Sequence, residues 1–67
     1  MINVRLRKLL ENANISQAEL ARATGIRPST ICDMYNNNIS FLKLEHIEKI
    51  CGFLHIQISD LIEFLSE

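Results

Sequence analysis

Apolar residues recur along this chain in blocks with a helical period. Ile2, Leu6, Leu9, Leu10 and Ala13 fall on one stripe, which predicts a first helix over about 3–13. Arg5, Lys8 and Glu11 lie off the stripe, and Asn12 and Asn14 mark its exit. Ile31, Met34 and Tyr35 form a second inward stripe, three and four residues apart. Leu44, Ile47, Ile50, Cys51 and Leu54 form a third, over about 43–54, with Glu45, His46, Glu48 and Lys49 facing outward. Gly52 within it costs ~1 kcal/mol relative to alanine, and a close backbone approach is the expected reason. A short last helix is expected over about 59–65, capped by Ser59, with Asp60 suiting the dipole of its first turn.

The segment from Ser16 to Asn36 organises the rest. Ser16 and Glu19 have the S-x-x-E spacing of a capping box, and Ile15 with Leu20 suits a hydrophobic staple. A helix over about 16–24 follows and stops at Gly25, where a positive φ is cheap without a Cβ. Pro28 then suits the first position of a helix over about 28–36. So short a connection forces the two helices to cross steeply, with a small residue where they touch. Ala21 is that residue, and Leu20, Ile26, Ile31 and Met34 can close a core around it. This is the physics of a helix-turn-helix.

Sixty-seven residues suffice for one domain with one small core. An apolar fraction of 48% with only two glycines and one proline favours helices over strands. No apolar run approaches the ~20 residues of a membrane span. The opening M-I-N-V-R-L-R lacks the apolar core of an export signal, so the expected location is the cytoplasm. Cys32 and Cys51 lack C-x-x-C spacing and are expected to stay reduced, Cys51 as a small core residue and Cys32 partly exposed. His46 and His55 are too far apart to share a helix face, so no metal site is expected. No glycine-rich phosphate loop, H-E-x-x-H, or nucleophile with a base is present, which argues against an enzyme and against a cofactor.

The net charge of −1 hides an asymmetry. Residues 1–43 hold Arg5, Arg7, Lys8, Arg22, Arg27 and Lys43 against Glu11, Glu19 and Asp33, a balance of +3. Residues 44–67 hold Lys49 against Glu45, Glu48, Asp60, Glu63 and Glu67, a balance of −4. The basic half contains the helix-turn-helix, as a phosphate-facing surface requires. The field is weak, so non-specific affinity should be modest.

The segment resembles the phage-repressor and Cro-type helix-turn-helix of the XRE family. The residues that carry the resemblance are Gln17, Ala21, Gly25, Ile31 and the Y-N-N of Tyr35 to Asn37. It extends through L-x-x-I-x-K-I-C from Leu44 to Cys51 and I-S-D-L-I-E from Ile58 to Glu63. The resemblance implies an all-α class: a compact five-helix, lambda-repressor-like DNA-binding domain with its helix-turn-helix at helices two and three. It also implies double-stranded DNA as partner and regulation of transcription, with repression by a dimer over a promoter as the expected mode. No pocket for a small-molecule effector is evident.

In such proteins the second motif helix enters the major groove while the first crosses the backbone. The resemblance places Gln17 against phosphates, with Ser16 before it as a further phosphate candidate, and places Pro28, Ser29 and Asp33 in the groove beside Arg27 and Thr30. Ser29 and Thr30 could bond several base edges, and Asp33 could accept from cytosine. The simpler alternative for Asp33 is a surface acid, and for Ser29 a local cap. Asn36, Asn37 and Asn38 suit a turn, and the same amides could meet phosphate. Arg27 departs from the usual capping residue, and its charge opposes the helix dipole by roughly 0.3–1 kcal/mol. Lys43 holds a similar place before helix four. Both suit backbone phosphates near helix N-termini.

The end of the chain is unusually apolar. Ile56, Ile58, Leu61, Ile62, Phe64 and Leu65 exceed what so small a core can hide, and a self-complementary homodimer patch is expected there. The competing function is a protein-interaction module of the same fold, such as an antitoxin or an adaptor, since fold alone does not fix function.

Overall fold

Five helices and one small sheet make up residues 2–64, the part of the chain that this computed structural model describes. In order they are β1 (Ile2–Val4), α1 (Leu6–Ala13), α2 (Gln17–Thr24), α3 (Pro28–Tyr35), α4 (Leu44–Leu54), α5 (Ile58–Leu61) and β2 (Ile62–Phe64). The helical class is as expected, with the sheet added.

Local chemistry sets the ends of α2 and α3. Ser16 Oγ accepts from the Glu19 N–H at 3.1 Å while the Glu19 carboxylate accepts from the Ser16 N–H at 3.3 Å, a reciprocal capping box. Gly25 closes α2 with φ +74° and donates to the Ala21 carbonyl at 2.9 Å. Thr24 ties the turn from inside: its hydroxyl donates to the Leu20 carbonyl at 2.7 Å and accepts from the Ile26 N–H at 3.4 Å. Pro28 opens α3 where an N–H would find no helical partner.

The core sits among all five helices and the end of β1. Leu6, Leu10, Leu20, Ile31, Met34, Ile50 and Leu61 are fully buried, and Val4, Ala21 and Ile26 nearly so. Each large side chain contributes roughly 1.5–3 kcal/mol by leaving water.

Both chain ends differ from the helical expectation. The first helix does not start near residue 3. Ile2–Val4 instead pairs antiparallel with Ile62–Phe64, Asn3 lying opposite Glu63. The Arg5 N–H donates to the Leu61 carbonyl at 2.7 Å, continuing that ladder into the start of α1. The last helix starts at Ile58, not at a Ser59 cap. Asp60 reaches back to accept from the Gln57 N–H at 3.0 Å, which makes Gln57 the cap. It ends at Leu61, because Ile62 turns extended to join the sheet.

Three smaller expectations also fail. Leu44 is 80% exposed, since the first position of α4 projects beyond the core that Ile50 reaches. Ala13, at the end of α1, is exposed as well. Gly52 makes no close approach: a Cβ built there would meet nothing within 4 Å.

Candidate nucleic-acid interface

The two faces of α3 separate cleanly. Ile31 and Met34 point into the core. Arg27, Pro28, Ser29, Cys32 and Asp33 are exposed, and Thr30 is half-buried. Arg27 is the N-cap residue of α3 and makes no side-chain capping bond. Lys43 does the same for α4. Among the described residues the one ion pair is Lys49 with Glu45, at 2.9 Å, so neither Arg27 nor Lys43 is neutralised by a bridge there.

Arg27 joins the two ends of the surface. With Gln17 and Pro28 it borders one shallow hollow against α2. With Thr30, Asp33, Phe41, Lys43 and His46 it borders another, between α3 and the start of α4. Gln17, Arg27, Pro28, Thr30, Asp33 and Lys43 therefore lie along one continuous surface. Asp33 carries a negative charge inside it, which a phosphate would avoid and a cytosine amine would not. Ser29 is exposed on the outer face of the same helix. Ser16 stands at the α2 end, with its hydroxyl committed to the capping box.

The asparagines lie at the opposite end of α3. Asn36 donates to the Cys32 carbonyl at 3.0 Å and accepts from Arg7 Nη2 at 3.0 Å. Asn37 accepts from the Val4 N–H at 2.9 Å. These amides fasten the end of α3 and the loop after it to α1 and β1, which leaves Asn38 as the one of the three with no side-chain bond among the described residues. The guanidinium of Arg7 also stands over the Tyr35 ring, 4.9 Å from its centroid. That link between α1 and α3 carries no local sequence signal, because its partners are 29 residues apart. Thr24 was equally silent, although a threonine directly before a turn glycine is placed to bond back to its own helix.

The apolar tail is only partly available to a partner. Leu61 is fully buried in the chain's own core, so it is withdrawn from the expected patch. Ile56 and Ile62 are half-buried against that core. Ile58 is 55% and Phe64 74% exposed. Leu65 lies outside the described residues.

No group of three or more metal-ligating side chains comes together among the described residues. No helix there is long and apolar enough to cross a membrane. The lysine at 49 holds the Glu45 carboxyl below its usual range by hydrogen bond and charge, helped by His46 and Lys43.

The model of the Cro/C1-type HTH DNA-binding domain matches residues 5–67. The chain belongs to that family. Cro/C1-type domains are DNA-binding modules and not enzymes. Two solved structures share the fold. One is a proposed DNA-binding protein from Bacteroides fragilis, 24% identical, with a TM-score of 0.82 over 94% of this chain and all of that one. The other is SinR, the master regulator for biofilm formation, in complex with DNA. It is 20% identical, with a TM-score of 0.74 over 81% of this chain and 86% of that one. No curated protein matches this Cro/C1-type chain in sequence.

Proposed function

We propose that this Cro/C1-type chain is a sequence-specific regulator of transcription that reads double-stranded DNA with α3. The observation that carries the reading is the outer face of α3, free of the core and flanked by the unbridged cations Arg27 and Lys43. In this reading Ser29, Thr30 and Asp33 meet base edges, with Pro28 packed beside them. Arg27 joins them from the helix start, where its charge also suits the backbone. Gln17, Lys43 and Asn38 meet phosphates. The protein acts in the cytoplasm as a homodimer, two copies of α3 entering successive major grooves about 34 Å apart. It represses by occupying the promoter. Ile58 and Phe64, with the half-buried Ile56 and Ile62, supply the apolar surface of that dimer.

The test is a fluorescence-anisotropy titration against a random pool of duplex DNA at low and moderate salt, with sequencing of the bound fraction. The expected result is a palindrome whose half-sites stand about one helical turn apart. Arg27→Glu should weaken binding to every duplex. Unchanged affinity of that variant at low salt would remove Arg27 from the interface.

One observation favours a second reading, a protein-docking role for the same fold. Phe41 is 72% exposed and Leu44 80%, three residues apart at the entry to α4. Absence of DNA binding at either salt would move the assignment there.

A further inference from the structure

The cations considered so far stand at one end of α3. A second group stands at the other. Arg5, Arg7 and Lys8 of the α1 region border a hollow that also takes in Tyr35 and Asn36, at the C-terminal end of α3. Arg7 is fixed there by its bond to Asn36 and its seat over Tyr35. A guanidinium has five N–H donors, so donors remain after that bond. Lys8 is exposed and forms no ion pair among the described residues. Two carboxylates, Glu11 and Glu63, share the hollow. Glu63 is engaged by the Asn3 amide at 2.7 Å. Cations outnumber carboxylates three to two around it.

The length of α3 gives this placement a meaning. Eight helical residues span about 12 Å, and the major groove is about 12 Å wide. A helix laid obliquely across such a groove brings its two ends near the two sugar–phosphate walls. Arg27 and Lys43 serve the first wall. We propose that Arg7 and Lys8 contact backbone phosphates of the second wall, so that α3 is held from both ends. Arg7 then has two tasks: it carries charge to the phosphate and it fixes the end of α3 against α1. This inference rests on the DNA-binding reading above.

The test measures affinity for a mixed-sequence duplex as a function of salt, using the whole chain and its variants Lys8→Gln, Arg7→Gln and Arg7→Lys. Each lost phosphate contact should flatten the log–log salt slope by about 0.9. At 0.1 M salt, one decade below a 1 M reference, that slope corresponds to about eightfold weaker binding. Lys8→Gln should show both changes with an unaltered melting temperature. Arg7→Gln should show them too, and Arg7→Lys should keep the slope. Wild type and Lys8→Gln binding with the same slope and affinity would overturn the second wall while leaving the DNA reading intact. A wild-type chain that binds no duplex at all would overturn both.

Discussion

The side-chain oxygen of Asn37 accepts a hydrogen bond from the backbone N–H of Val4 at 2.9 Å, across 33 residues of chain. The loop after α3 is thereby fastened to β1. Asn37 does this from a left-handed backbone, φ +56°, where asparagine is tolerated and alanine is not. Asn37→Ala should lose the bond, strand a partly buried N–H and strain the backbone, for a total of about 2–3 kcal/mol. Asn37→Gly should lose about 1 kcal/mol less, because only the bond is removed. Urea unfolding of the two variants separates the contributions. Equal losses would show that the positive φ costs nothing here.

Gly52 lies in the last turn of α4 with open space where a Cβ would stand. Gly52→Ala should therefore stabilise the fold by about 0.5–1 kcal/mol, since alanine has the better helix propensity and a smaller unfolded ensemble. In a chain of this size that is a rise of several degrees in melting temperature. A fall in stability would mean that the exposed side of α4 is covered in solution.

Glu45 should titrate below an ordinary glutamate in a carboxyl-detected NMR series. Lys49→Gln should move it back up, because Lys49 is the main cause of the depression. The sign follows from the lowered value: the pairing is present above the unfolded pKa and is lost as pH falls through the folded one. Both side chains are exposed, so the substitution should leave the melting temperature nearly unchanged. A Glu45 that ignores Lys49 would show the pair to be absent in solution.

The two cysteines should differ in reactivity. Cys32 is exposed and Cys51 half-buried. Burial pushes the Cys51 thiol up, and the charge of Asp60 adds to the rise. A raised pKa leaves less thiolate at a given pH, and the thiolate is the species that reacts. Iodoacetamide at mildly alkaline pH should label Cys32 first, with Asp60→Asn narrowing the gap. Equal labelling from the start would place Cys51 in a segment that opens freely.

The centre of the fold was legible because its signals are local. Ser16 and Glu19 are three residues apart, and Gly25 and Pro28 bracket the turn at the same spacing. Every one of them acts on its own neighbours. The ends were not legible for the opposite reason. Ile2–Val4 and Ile62–Phe64 are too short to show a period of two, and what makes each a strand is the other one. Leu44 obeyed a helical spacing that continues past the edge of the core, so periodicity alone could not tell it from Ile50. On the candidate interface, the exposed face of α3 followed from the inward stripe of Ile31 and Met34. The commitment of Asn36 and Asn37 to Arg7 and Val4 did not, because those bonds join distant segments.

The pairing of Asn3 with Glu63 joins residues sixty apart in sequence. Forming it first would mean closing a loop of nearly the whole chain with little to hold it, at an entropic cost that grows with the logarithm of loop length. The sheet is therefore expected to close last, after α2 and α3 have met through local contacts. It latches a helical body that has already assembled. Hydrogen exchange should find the Arg5 and Glu63 amides opening before those of Ile31 and Met34. The surface formed by Ile58 and Phe64 would then loosen by fluctuation while α3 keeps its shape.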